Sequence, residues 1–345
     1  MNQYDSLTAS QPSASMPRAS TFLASLKDSP KPAQPANIPF PSAYETFMNP
    51  LTPFLFGIVY FAVAKTLSHY QNGHNRIQGK RWNAVVVSHN VFLAVYSAWT
   101  FLSTAPQVIG SFASGFSEHG FAGLLHAFCD SEHSIWGSQQ FPRFTYMFYL
   151  SKFYEIVDTA ILLLKGKKVG MLQSYHHTGA IWTMYAAYRT QTMAVWLFVL
   201  FNSAVHSIMY CYYAITALSL PFPRFLKKSI TRMQITQFLV GGSLAASYLF
   251  IKLPELSGEA GKAAHVVSNF SGSMSTSLEQ GMLALRRETS QCLINPAQRA
   301  AVWLNVVYLI PLTYLFAAFF IKSYRRGSKP SKAASTAAVK AEKSA

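Results

Sequence analysis

Four stretches of the chain place polar side chains at helical spacing inside otherwise apolar runs. Lys152, Glu155, Asp158 and Thr159 fall on positions that share one helix face. Gln173, His176 and His177 repeat that spacing in the next run, and Asn202, His206, Met209, Tyr210 and Tyr213 form a stripe in the one after. Thr231, Gln234, Gln237 and Phe238 open a fourth stripe. An ionisable group inside a membrane helix costs several kcal/mol unless it is paired or faces water, so it marks function by default. Lys152 and Glu155 have two readings, a neutralised pair that locks helix packing or part of a lined polar cavity; their mid-span position favours the second. Neutral imidazole can bind a metal, act as a nucleophile or move a proton near neutral pH. Three histidines on two neighbouring helices leave all three chemistries open. A lone Gln or Thr in such a helix more often bridges helices, but four polar stripes together predict one chamber inside a bundle.

The elements that must carry these stripes follow from composition. The 345 residues are 50% hydrophobic and only 12% charged, about half the charge of an ordinary soluble domain. Whole-chain disorder is excluded by that apolar content, and a disulfide-stapled mini-protein by the length and three cysteines. Apolar runs near 51–69, 84–103, 145–164, 171–188, 193–217, 232–252 and 300–321 approach the length that crosses a bilayer as a helix. Hydrocarbon admits only helices or closed barrels, and none of the runs alternates with period two. The fold class expected is therefore an all-α polytopic membrane protein with seven transmembrane helices.

The charges test that count. Twenty-nine Lys and Arg oppose 13 Asp and Glu, for a net charge of +16. They concentrate in alternate connections: Arg76, Lys80 and Arg81; Lys165, Lys167 and Lys168; Arg224, Lys227 and Lys228; and the tail beginning with Lys322 and Arg325. The connections 104–143 and 189–192 offer only Arg143 and Arg189. Positive charge marks the cytosolic side, so seven spans put the carboxyl terminus in the cytosol and the amino terminus in the lumen. The same distribution explains the charge without nucleic acid, and no stacking motif or basic reader helix is present.

Residues 1–45 are rich in Ser, Ala and Pro and read as a disordered tail; 46–325 form the membrane domain, with 253–299 a long lumenal loop; 326–345 are a basic disordered cytosolic tail. Cys129 and Cys292 both fall in non-cytosolic connections, where a disulfide or two free thiols are equally compatible with the pattern. Asn269 heads an N-x-S glycosylation sequon in the lumenal loop.

The motifs KFYEIVDT (152–159), QSYHH (173–177), NSAVHSIMYCYY (202–213) and TRMQITQF (231–238) occur in order. Together they resemble the hallmark motifs of the ELO family of very-long-chain fatty acid elongases (3-oxoacyl-CoA synthases) over about residues 50–325. One departure stands out. The family's histidine box is usually HxxHH, and Gln173 replaces its first His, a variant similar to filamentous-fungal and algal members acting on polyunsaturated chains. That replacement weakens any role needing a third imidazole in the box, including a metal site.

The resemblance implies condensation of malonyl-CoA with a long-chain acyl-CoA, giving 3-oxoacyl-CoA, carbon dioxide and CoA, with no cofactor and no metal. It implies His176 as nucleophile through an acyl-imidazole, and His206 beside the malonyl unit. His177 and Gln173 would orient the site, Asn202 would fix the His206 tautomer, and Lys152, Glu155 and Asp158 would supply electrostatic preorganisation. Tyr210, Tyr213, Gln234 and Gln237 would line the substrate chamber. Lys165, Lys167, Lys168, Lys227 and Lys228 would attract CoA phosphates as mobile point charges, or merely obey the positive-inside rule. An apolar tunnel would take the acyl tail. Endoplasmic reticulum membrane is the implied location, with the 3-oxoacyl-CoA reductase, dehydratase and enoyl reductase of the cycle as partners and a homo-oligomer left open.

Two other classes compete. A membrane di-iron desaturase or hydroxylase also uses histidine boxes, but needs far more imidazole ligands than the three clustered here; His69, His74 and His89 are scattered early in the chain. A seven-span transporter or receptor explains the helix count but assigns no chemistry to the histidines.

Overall fold

A computed structural model describes Leu26 and residues 31–71, 77, 79–254 and 291–324. Most of the 253–299 loop with Asn269, most of the amino-terminal tail and the tail 326–345 lie outside the described residues. Among the described residues every regular element is helical, and the one extended feature is an isolated bridge between Lys252 and Gln291. A short 3-10 turn, Pro41–Ala43, leads into α1 (Tyr44–Met48), α2 (Leu51–Tyr70) and α3 (Lys80–Cys129). Then come α4 (Gln140–Tyr154), α5 (Val157–Leu164), α6 (Met171–Arg189), α7 (Val195–Ala217), α8 (Arg224–Ser247) and α9 (Pro296–Tyr324).

Helices are the element that satisfies every backbone donor and acceptor within its own segment, which hydrocarbon demands. Four of them, α2, α3, α7 and α9, are long and apolar enough to cross a membrane. The protein is a multi-pass membrane protein. The expected third, fourth and sixth spans correspond to α4 with α5, α6 and α8, whose apolar character is diluted by the polar stripes that sequence reading singled out.

Two expectations about elements are corrected. The helix begun near residue 84 does not stop at 103 but continues to Cys129, so the first part of the expected 104–143 connection is helical. Ser103, Thr104 and Gln107 end the apolar run without ending the helix, because Thr104 and Gln107 donate to carbonyls one turn back (2.8 and 2.5 Å). An uninterrupted helix of 50 residues would span about 75 Å. Instead the chain bends at His119 and Gly120, where Gly120 adopts φ +58°, ψ −139°, a conformation open to glycine at little cost. The expected single span 145–164 is likewise two helices, with Glu155 and Ile156 between them.

The described part of the amino-terminal segment is not loose. Tyr44 and Met48 are buried, and residues 31–48 lie against α4 and α6. The Tyr44 hydroxyl donates to the Pro32 carbonyl (2.8 Å), Tyr149 to Phe47 (3.1 Å) and Tyr185 to Met48 (3.0 Å). Arg189 reaches the Leu26 carbonyl at 2.9 Å. The disordered tail expected through residue 45 therefore fails for 31–45. Its few apolar side chains, Ile38 and Tyr44 among them, find partners on distant helices that local composition does not reveal.

The helices close a circuit: α2 packs on α6, α6 on α9, α9 on α8, α8 on α7, α7 on α3, and α3 on α4, which returns to α6. A buried tyrosine cluster (Tyr44, Tyr146, Tyr149, Tyr185, Tyr188) fills one end of the bundle. At that end Cys129 is joined to Cys292, with Cα atoms 5.0 Å apart, tying α3 to the segment before α9.

Candidate active site

The polar stripes face inward and meet. Lys152 on α4 donates to Glu155 Oε1 at 2.6 Å and to Asn202 Oδ1 on α7 at 3.0 Å. Its ammonium also sits 3.9 Å from the Phe148 ring centroid. Ser151 donates to the same Glu155 oxygen at 3.2 Å, while Glu155 Oε2 has no partner among the described residues. Asn202, its oxygen taken by Lys152, turns its amide nitrogen to His206 Nε2 at 3.0 Å. The other His206 nitrogen lies 3.9 Å from Glu155. On α6, Gln173 Nε2 approaches His177 Nε2 at 2.9 Å and Thr159 Oγ1 at 3.3 Å, and Thr159 in turn pairs with Tyr60 of α2 at 2.7 Å.

His176 makes a different kind of contact. Its Nδ1 lies 3.1 Å from the Tyr308 hydroxyl of α9, and that hydroxyl donates to the His176 backbone carbonyl at 3.0 Å. A hydroxyl whose proton is committed to a carbonyl offers only its lone pairs to the ring. With that proton on the carbonyl, the matching tautomer of His176 has its own proton on Nδ1 and a lone pair on Nε2. The same bookkeeping applied to amide donors leaves the Nε2 lone pairs of His177 and His206 occupied, by Gln173 and Asn202. Among the three imidazoles, His176 alone has an Nε2 that no hydrogen bond engages among the described residues.

Two cavities share His176. The larger, about 640 Å³, is lined by Asp158, Lys165, Lys167, Gln173, His176, His177, His206, Tyr210, Tyr213, Lys227 and Gln234 among others. The smaller, only about 40 Å³, runs past Lys152, His176, Asn202 and Gln237 between apolar side chains such as Phe148, Met184, Leu197, Phe201 and Leu312. Asp158 faces the larger space, where it accepts from Tyr210 at 2.6 Å and pairs with His89 Nε2 at 2.9 Å. Glu155 and Asp158, expected on one helix face, thus serve different neighbours across the break between α4 and α5. Lys168 and Lys228 line neither cavity; Lys228 lies 5.8 Å from the Phe320 ring. Just beyond α5, burial and then the charge of Lys167 hold Lys165 below the ordinary lysine range.

The residues matched by the ELO description, also called the GNS1/SUR4 family, are 46–332, which include every helix from α2 to α9. The chain belongs to the ELO family. Among its relatives, fatty acid elongase sre1 of Dictyostelium discoideum is 30% identical over 232 residues, 66% of this chain and 81% of that protein. Fatty acid elongase 2 of Trypanosoma cruzi is 29% identical over 248 residues, 71% of this chain and 74% of its own. Very long chain fatty acid elongase 6 of Gallus gallus is 30% identical over 188 residues, 54% and 66% of the two chains. No solved structure matches. This ELO protein is an enzyme of fatty acid elongation.

Sequence reasoning missed two side chains that meet the site. His89 was visible as an ionisable residue in the apolar run of α3, but it has no polar partner on its own helix; its partners Asp158 and Tyr154 come from α5 and α4. Tyr308 sits in the apolar stretch VVYLIPLTY and carries no local signal at all. Among the described residues, no group of three or more His, Cys, Asp or Glu side chains is arranged to hold a metal ion.

Proposed function

We propose that this ELO enzyme is the condensing 3-oxoacyl-CoA synthase of the elongation cycle, with His176 as nucleophile. The observation that carries the reading is the position of His176, with its unoccupied Nε2, on the wall of both cavities. The smaller cavity has the apolar lining an acyl chain needs and would have to widen to admit one. The larger has the room and the cations, Lys165, Lys167 and Lys227, for a CoA phosphate group. A thioester bridging them would hold its carbonyl carbon at the shared wall.

The chemistry then follows in two transfers. His176 Nε2 attacks the thioester carbonyl, the carbon–sulfur bond breaks, and the CoA thiolate leaves and takes a proton from solvent. Malonyl-CoA next loses carbon dioxide, and the electron pair of the broken bond attacks the acyl carbon. Imidazole is expelled, restoring His176 and giving 3-oxoacyl-CoA. His206, held by Asn202 within the Lys152–Glu155 network, would serve as the partner of the malonyl carbonyl during decarboxylation. Gln173 and His177 orient the α6 wall, and Asp158 with Tyr210 shapes the larger chamber.

The same reading places the protein in the endoplasmic reticulum membrane with seven spans, counting α4 with α5, α6 and α8. Its carboxyl terminus and lysine-bearing chamber then face the cytosol, and the disulfide end faces the lumen, where oxidation is permitted. Asn269 would be lumenal as well. Purified enzyme supplied with radiolabelled malonyl-CoA and a long-chain acyl-CoA should form labelled 3-oxoacyl-CoA. His176→Ala should abolish this while His206→Ala retains acylation of the enzyme by acyl-CoA alone. Full activity in His176→Ala would refute the assignment.

A further inference from the structure

The Tyr308 hydroxyl is bonded at two points to one residue. It donates to the His176 carbonyl at 3.0 Å and lies 3.1 Å from Nδ1 of the same residue's ring. With the hydroxyl proton on the carbonyl, the second contact reads as Nδ1–H to oxygen. Tyr308 is itself held on both sides. Its ring stacks on Tyr175 (centroids 5.6 Å, 27°), and the Tyr175 hydroxyl donates to the Tyr308 carbonyl at 3.2 Å. Room for the ring comes from Gly179, one turn after His176 on α6, where an added Cβ would overlap ring atoms of Tyr308. Three positions on α6 thus accommodate one tyrosine of α9.

We propose that Tyr308 is a positioning residue that holds His176 as the Nδ1–H tautomer and so keeps Nε2 available to attack the thioester. This rests on the reading of His176 as nucleophile. After attack the ring is an acyl-imidazolium, its Nδ1–H still bonded to the tyrosine oxygen. Transfer of the acyl group to the malonyl-derived carbanion returns the neutral Nδ1–H imidazole directly, with no proton moved at Nδ1. Without the hydroxyl, the Nε2–H form competes, and that form has no lone pair facing the substrate.

The test reads the tautomer itself. Enzyme labelled with 15N-histidine in detergent micelles gives nitrogen resonances that distinguish a protonated from an unprotonated ring nitrogen, and the His176 signals are identified by their loss in His176→Gln. The wild-type ring should be protonated at Nδ1 only. In Tyr308→Phe, which keeps the stacked ring, the Nε2–H form should appear. Its kcat should fall about 10- to 100-fold, as when outer partners that orient an imidazole are removed, with the KM for acyl-CoA unchanged. Gly179→Ala, which displaces the ring but leaves the hydroxyl in the chain, should show the same change of tautomer. A wild-type His176 protonated at Nε2 overturns the proposal, and this measurement needs no variant of Tyr308 to fold. Unchanged tautomer and kcat in Tyr308→Phe overturn it too. Activity surviving in His176→Gln would instead overturn the nucleophile assignment, leaving the tautomer measurement to stand alone.

Discussion

Lys152 and Glu155 are 3% and 2% exposed; among the described residues Lys152 has no second acidic partner at ion-pair distance, and Glu155 has only the His206 ring at 3.9 Å. Removing one member of such a buried pair strands the other, at a cost of about 3–5 kcal/mol. Lys152→Met should therefore lower the thermal midpoint of the detergent-solubilised protein strongly, and Lys152→Met combined with Glu155→Leu should recover part of the loss. If the pair served packing alone, the double variant would also recover activity; as part of the site it should stay inactive. At the cavity mouth, the lowered Lys165 gives up its proton at lower pH than an ordinary lysine as pH rises. If it holds a CoA phosphate, the KM for malonyl-CoA should rise over that alkaline window, and Lys165→Arg should move the rise to higher pH. The spacing of Gln173, His176 and His177 shows one helix with three polar residues. It does not show that His176 turns to α9 while Gln173 and His177 bond each other.

Among the elements, α3 and the smaller cavity permit direct tests. Gly120 adopts φ +58°, ψ −139°, a sparsely populated region where a side chain costs roughly 1–3 kcal/mol. Gly120→Ala should destabilise by that order, whereas Gly110→Ala, which meets open space, should not. Cys129→Ser should lower stability by about 2–4 kcal/mol, and a reductant should lower the wild type toward the variant without further effect on the latter. Met184 lies two turns beyond His176 on α6, about 12 Å deeper along the helix, and lines the smaller cavity. Met184→Trp should shift the products toward shorter acyl chains in lipid profiles of an expressing host. Helix positions were largely legible in the sequence because apolar length is a local property. The ends of α3 and the break between α4 and α5 were not, since a bend or a break depends on what packs against it.

For the whole molecule, Lys165, Lys167 and Lys227 line the larger cavity, while Cys129 and Cys292 belong to the core cluster that holds the buried tyrosines. Lys165→Glu with Lys167→Glu should raise the KM for malonyl-CoA and weaken its dependence on ionic strength, because exposed charge attraction is screened by salt. The sequence by itself determined the helical membrane class, the four polar stripes, and the imidazoles and ionisable groups they carry. All of these follow from composition and from side-chain spacing along single helices. Only the tertiary structure decided which imidazole keeps a free nitrogen, that His89 and Tyr308 join the site, and that residues 31–45 pack onto the bundle. Each of those depends on side chains brought together from distant parts of the chain, and the direction of a side chain across a helix interface is not written in its neighbours in sequence.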